Sequence, residues 1–315
     1  MSHQPDLEPR YLGTLFGMAC GDALGGAVEF HSRSSIAKEF PDGVRDILGG
    51  GPHQLEIGEV TDDTAIALAI ARACTGEGID LDRIVEGFLT WFRSNPKDIG
   101  ISTRAALGYL NQGLPWSDAG ERLQRETPSG VAGNGSVMRC APIAMRFRSS
   151  PKRLVSHSID ISRITHADPR AIWGSVAVNQ GVAHLLNGGL IESVIAAAAK
   201  DIDNENVTRS LRLAEMLHYD DVPSDGFVLD TITAAFWCLL HRDSADEAII
   251  TGVSMGLDTD TTGAVCGALV GAAYGVEAIP ERWRQVIHHH EELVSLALSI
   301  QEWDLADRDS NGIEG

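Results

Sequence analysis

The sequence predicts a mostly α-helical chain. Apolar residues recur at helical spacing in segment after segment, no stretch sustains the alternation of a strand, and no low-complexity linker divides the 315 residues. A chain of this length can bury a large core, and length alone would allow two domains. The chemically distinctive positions run from residue 22 to residue 261. A single domain over 1–315, with the two ends of the chain brought together, explains that spread best.

The first apolar segment carries Gly13, Gly17, Gly21 and Gly25, one glycine every fourth residue. That spacing lays glycine along one face of a helix. Glycine inside a helix costs roughly 1 kcal/mol relative to alanine, so the run needs a compensating contact, and close backbone packing is one. A second stripe, Gly263, Gly267, Gly271 and Gly275, lies near the other end. The two helices are expected to pack closely and antiparallel, carrying Asp22 and Glu29 to Asp258 and Asp260.

Between the stripes, TAIALAIARACTGEG, ISTRAALGYLNQG, RAIWGSVAVNQGVAHLLNGG, TRSLRLAEMLH and VLDTITAAFWCLLHR hold apolar residues at helical positions. Most end at glycine, as helices often do. Ser244 and Glu247 form a capping box ahead of AIITGV. ERWRQVIHHHEELVSLALSIQEW reads as a further helix, with the His288, His289 and His290 run on its polar side. Consecutive residues point in different directions around a helix, so the run makes a poor metal site. Pro- and Gly-containing stretches near 41–58, 127–135 and 220–226 read as loops rather than domain boundaries.

Lys plus Arg is 25 and Asp plus Glu is 44, a formal net charge of -19. Nucleic acids and anionic membranes call for a basic footprint, so neither is an expected partner. A small anionic ligand stays open, because a metal can invert the local field. Cys20, Cys74, Cys140, Cys238 and Cys266 are scattered, odd in number and set among apolar residues, with no CxxC pair. They read as buried, reduced thiols of a cytoplasmic protein. The opening MSHQPDLEPR lacks the apolar core of a signal peptide. The longest apolar stretch, 263–276, is interrupted by glycine and shorter than the ~20 residues that span a bilayer.

Thr61-Asp62-Asp63-Thr64 and Asp258-Thr259-Asp260-Thr261-Thr262 stand almost two hundred residues apart, each directly before an apolar, Ala-rich run. One such Asp or Thr is an ordinary helix N-cap. The clusters hold more oxygens than capping needs. The following helices, AIALAIARAC and AVCGALVGAAYG, are nearly uncharged, so their starts are expected inside the protein. Carboxylates gathered there repel one another and are costly to desolvate unless a cation compensates. Oxygen-only ligands suit Mg²⁺ or Mn²⁺ rather than zinc. Four carboxylates from two loops are enough to bridge two ions about 3.5–4 Å apart.

Other positions have a bland reading beside the functional one. Asp22 and Glu29 flank a Gly-rich turn that could simply end a helix. Asp98 could cap a helix starting near Ser102. The Gly133-Asn134-Gly135-Ser136 loop could be a turn, or could offer backbone N–H groups to phosphate. His166 precedes an X-Pro turn and could be a packed polar residue.

In combination these segments resemble the ADP-ribosylglycohydrolase family, and within it the bacterial dinitrogenase-reductase-activating glycohydrolase branch. The matching segments are GMACGDALGGAVEF, GEVTDDTAIALAIAR, WFRSNPKDIG, AGNGSVMRCAPIA, ITHADP, VLDT and GLDTDTTGAVCGALVGAAYGVEAIP, followed by Trp283. They run in order over residues 10–285, and the TDDT and DTDTTG motifs are highly specific as a pair. The resemblance implies a compact, all-α orthogonal multi-helix bundle with a binuclear Mg²⁺ or Mn²⁺ centre. It implies Thr61, Asp62, Asp63, Asp258, Asp260 and Thr261 as metal ligands, and Glu29 and Asp98 as catalytic carboxylates. It also implies that Gly133, Asn134, Gly135 and Ser136 cradle a diphosphate, with His166 and Phe227 near the ligand. The implied activity is removal of ADP-ribose from protein side chains, ADP-ribosyl-arginine foremost, with ADP-ribose as product ligand. Ile101 stands where the branch carries Asn, Leu257 where it carries Gly, and Phe227 where Tyr is common. These departures bear on the leaving group and keep ADP-ribosyl-serine and O-acetyl-ADP-ribose as alternative substrates. A two-metal phosphoesterase and a non-catalytic relative are the rivals from other classes.

Overall fold

The computed structural model describes residues 6–127 and 132–311. Residues 1–5 of the polar N-terminus and part of the 127–135 stretch lie outside them. Helices α1 (Leu7–Gly25), α2 (Arg33–Glu39), α3 (Asp62–Ala73) and α4 (Leu81–Arg93) come first. Then follow α5 (Ile101–Asn111), α6 (Trp116–Glu126), α7 (Ala141–Phe147), α8 (Pro151–Arg163) and α9 (Pro169–Leu186). The second half holds α10 (Val194–Ala198), α11 (Glu205–Met216), α12 (Val228–His241) and α13 (Ala245–Ser254). Last come α14 (Thr259–Tyr274), α15 (Glu281–Val286) and α16 (His290–Asn311). The fold is all-α: among the described residues there is no sheet.

The centre of the molecule is the α1–α14 pair, and its glycines explain why. A Cβ placed on Gly13 would lie 2.4 Å from the Gly271 oxygen, one on Gly17 2.1 Å from that of Gly267, and one on Gly21 2.0 Å from that of Gly263. The partners run in opposite order along the two helices, so the pair is antiparallel and in backbone contact, as the stripes predict. Gly275 departs from the stripe: at φ 83° it ends α14 in a conformation that favours glycine. At the other end the Thr259 hydroxyl donates to the Gly25 carbonyl at 2.8 Å, tying the start of α14 to the close of α1. Around this spine, α9, α12 and α13 pack on α14, while α3, α7 and α16 pack on α1.

Three local expectations need correction. The His288–His290 run is not within a helix: it bridges the break between α15 and α16, and only His290 is helical. There the 49–58 loop docks, Gly58 accepting a hydrogen bond from the His288 N–H at 2.8 Å, and His289 turns to φ 64°. Asp98 does not cap α5, whose N-cap is Gly100 without a side-chain bond. The capping box at Ser244 has one arm: its Oγ accepts from Glu247 N–H at 3.4 Å, but the Glu247 carboxylate pairs with Arg45 at 2.9 Å. Among the described residues no helix is long and apolar enough to cross a membrane.

Candidate functional site

The two acidic clusters sit at the N-terminal ends of α3 and α14, and both ends are buried. Thr61 is the N-cap of α3, accepting from the Asp63 N–H at 3.3 Å. Asp22, near the end of α1, accepts from Thr61 N–H at 3.0 Å and Thr64 N–H at 3.1 Å, pinning α3 to the central spine. The clusters meet at Asp63, whose Oδ2 accepts from Thr61 at 3.3 Å and from Thr261 of the other cluster at 3.4 Å. Asp62 accepts from Gly100 N–H at 3.1 Å, and Asp258 from the Asn134 amide at 2.8 Å.

The other oxygens of the set are not all paired. Asp63 Oδ1 and Asp260 Oδ1 are buried with no hydrogen-bond partner among the described residues. Burial, followed by neighbouring carboxylates, pushes Asp62, Asp63 and Asp260 well above the usual carboxylate range. Buried carboxylates this crowded, with oxygens free, are a liability unless a cation draws on them.

This wall forms the floor of a cleft of about 480 Å³, within the size range of small-molecule sites. At its side His53 Nε2 lies 2.8 Å from Glu29 Oε2 and 3.5 Å from Asp98 Oδ1. The ligand atoms of these three residues lie within 4.8 Å of one another, close enough to share a metal ion. Burial, then the Asp98 and Asp258 charges, raise Glu29 to about 9. Opposite lie the Gly133–Gly135 loop and His166. The N–H groups of Gly135 and Ser136 have no partner among the described residues, whereas Asn134 N–H donates to the Gly226 carbonyl at 3.2 Å.

Comparison with known proteins places this geometry in a family. The family model for ADP-ribosylglycohydrolase matches residues 3–311. The chain belongs to the ADP-ribosylglycohydrolase family. It is 32% identical over 284 residues to the ADP-ribosyl-[dinitrogen reductase] glycohydrolase of Rhodospirillum rubrum, covering 89% of this chain and 90% of that protein. It is 31% identical over 300 residues to the ADP-ribosylarginine hydrolase Tri1 of Pseudomonas putida, covering 92% of this chain and 77% of that protein. A solved ADP-ribosylglycohydrolase-related protein complex superposes with a TM-score of 0.81 at 32% identity, over 95% of this chain and 99% of that one.

The donor set fits the hard divalent metal that family resemblance implies. Every ligand candidate of the two acidic clusters is an oxygen, and two of their buried carboxylate oxygens lack any other partner among the described residues. Of the metal, catalytic and substrate-binding residues that the resemblance implies, all line the cleft except Thr61, Ser136 and Phe227; Asp22 and Leu257 do not line it either. Thr61 lies just behind, in an adjoining pocket with Asp62 and Asp98. The Ser136 hydroxyl is turned away: it donates to the Ala171 carbonyl at 3.4 Å and accepts from Ser175 at 3.1 Å. Phe227 bridges to Gly133 through its backbone, with the Arg170 guanidinium over its ring at 5.4 Å.

His53, Phe30 and Thr103 line the cleft unannounced by the sequence reading. For His53 a signal was there to be used. It follows Gly49-Gly50-Gly51, all at positive φ, and a Cβ on Gly51 would lie 2.2 Å from the Gly26 oxygen. That glycine run folds the loop onto the turn that carries Glu29.

Proposed function

We propose that this chain is a divalent-metal-dependent hydrolase that removes ADP-ribose from modified protein side chains, arginine first, by cleaving the glycosidic bond at the ribose C1. The observation that carries this reading is the junction of the two acidic clusters at Asp63, with the unpartnered Asp63 and Asp260 oxygens at the cleft floor. The arginine linkage draws support from the relative named an ADP-ribosylarginine hydrolase. The whole chain works as one domain, and its five buried thiols suit a reducing cytoplasm.

Thr61, Asp62, Asp63, Asp258, Asp260 and Thr261 would hold two Mg²⁺ or Mn²⁺ ions. Such a pair supplies Lewis acidity and a water of lowered pKa. The remaining work falls to the chain. Asn134 gives its amide to Asp258 at 2.8 Å and to Thr231 at 2.9 Å, so it orients a ligand carboxylate. The N–H groups of Gly135 and Ser136, unpartnered among the described residues, suit diphosphate oxygens, with Ser136 acting through its backbone. The transition state of glycoside cleavage is oxocarbenium-like, and carboxylates around the ribose favour the positive charge that develops. Free guanidine is strongly basic, so the arginine must leave protonated. Glu29 and Asp98 face that leaving group across His53. Both carboxylates are placed to manage its proton.

Ile101 favours a second reading. It is 90% exposed at the cleft and offers no polar contact, which suits a less polar leaving group such as serine or O-acetyl. The test is a product assay with Mg²⁺ on arginine-linked and serine-linked ADP-ribosylated proteins and on O-acetyl-ADP-ribose. Intact ADP-ribose released from the arginine linkage, lost on chelation and restored by Mg²⁺, is the expected result. Release of AMP would instead identify a phosphoesterase, and no release from any substrate a binding protein.

A further inference from the structure

Behind the cleft wall runs a chain of three buried polar side chains, Arg139, Thr165 and His166. Arg139 Nη2 donates to Thr165 Oγ1 at 2.6 Å, and that oxygen lies 2.7 Å from His166 Nδ1. A guanidinium has donors and no acceptor. The Thr165 oxygen therefore accepts from Arg139 and still has its own proton to place. His166 Nδ1 is the acceptor within reach of that hydroxyl among the described residues. Were Nδ1 instead protonated, the oxygen would face two donors and its proton would be left buried and unpaired, an arrangement folded proteins avoid. The hydroxyl thus donates to Nδ1, and the ring carries its own hydrogen on Nε2.

The Nε2 edge points where a ligand would be held. A Cβ placed on Gly135 would lie 3.0 Å from Nε2, and one on Gly133 3.5 Å from it. Nε2 makes no hydrogen bond among the described residues, and His166 lines the cleft. Burial and the Arg139 charge lower the His166 pKa to about 3, so the ring stays neutral.

We infer that Arg139 and Thr165 are positioning residues that fix His166 as its Nε2–H tautomer, a neutral hydrogen-bond donor facing a ligand oxygen beside the Gly133–Ser136 loop. The role of the donor rests on the ADP-ribose reading of the cleft; the tautomer does not. Arg139 thereby gains a function at a distance, for it makes no direct contact with the cleft. A ring with a bare Nε2 lone pair would repel the phosphate or ribose oxygens that the donor attracts.

Nitrogen-15 NMR of the histidine-labelled full chain in Mg²⁺ buffer reads the tautomer directly. The expected result is protonated Nε2 and unprotonated Nδ1 at His166. Thr165→Val should give a mixture of tautomers and Thr165→Ser should restore the single form, which a merely space-filling threonine would not do. Protonated Nδ1 in the parent overturns the inference, and so does a single Nε2–H form in Thr165→Val. Should Thr165→Val not fold, the parent and Thr165→Ser spectra decide. Added ADP-ribose should shift the Nε2 resonance, and Thr165→Val should weaken its binding in proportion to the lost Nε2–H fraction, about twofold for an even mixture. A parent with the Nε2–H tautomer that binds no ADP-ribose would overturn the reading of the cleft while bearing the relay out.

Discussion

Replacing Gly17 with alanine puts one methyl group between α1 and α14 at their closest approach. The new Cβ would sit 2.1 Å from the Gly267 oxygen and 2.8 Å from the Gly267 carbonyl carbon. Both obstacles are backbone, so no side chain can swing aside. Reaching van der Waals contact requires the helices to part by roughly 1–1.5 Å, which opens gaps along a pair whose other glycines are spaced as tightly. Overpacking in a core costs about 1–3 kcal/mol, and more where nothing yields; an unyielding backbone places this site near 4 kcal/mol. Alanine recovers about 1 kcal/mol through helix propensity. The net loss is then about 3 kcal/mol, a fall in Tm of roughly 4–5 °C for a chain of this size. Gly108, within α5, is the control, because a Cβ there meets nothing within 4 Å. Gly108→Ala should raise stability by about 0.5–1 kcal/mol. Thermal melts by circular dichroism, run in chelator so that metal binding adds nothing, make the comparison. Gly267→Ala probes the same contact, so its effect should not add to that of Gly17→Ala. A Gly17→Ala protein as stable as the parent would refute the close-packed spine.

Two further outcomes follow from buried charge. Arg148 and Asp304 form a buried pair at 2.8 Å, so Arg148→Met strands a carboxylate and should cost about 3–5 kcal/mol in urea unfolding; adding Asp304→Leu should recover part of it, because Tyr11 and Asn187 also lose their Arg148 donors. Asp230 is held at about 6, above the ordinary value, by burial and then by Asp225. The folded state therefore binds more protons than the unfolded one, and stability falls as pH rises from about 4 to about 6. Half-exposure limits the effect to about 1 kcal/mol. Asp230→Asn should flatten the pH profile over that window and leave the protein more stable at pH 7; an unchanged profile would contradict the assignment.

Local chemistry was legible where it repeats or concentrates. The glycine stripes announce the α1–α14 contact because a period of four lays glycine along one helix face, where close backbone packing offsets its cost. The acidic clusters announce the cleft floor because they exceed what capping uses. Long-range backbone placement was not legible. The break at His288–His290 arises from docking of Gly58, more than two hundred residues earlier in the chain. His53 reaches Glu29 through a loop whose path depends on successive positive-φ glycines. That the Ser136 hydroxyl bonds to α9, leaving only its backbone N–H for a ligand, was not legible either. The Arg139–Thr165–His166 relay joins two segments whose link no spacing rule conveys.

The most direct test of the account is the stoichiometry of Mn²⁺ binding by isothermal titration calorimetry, on the parent and on an Asp63→Ala/Asp260→Ala protein shown by circular dichroism to be folded. Those two residues carry the unpartnered oxygens at the junction of the clusters. Two ions per parent chain, and loss of that binding in the double variant, are the expected result. A parent that binds no Mn²⁺, or a double variant that binds it as the parent does, would contradict the metal centre on which the proposed function stands.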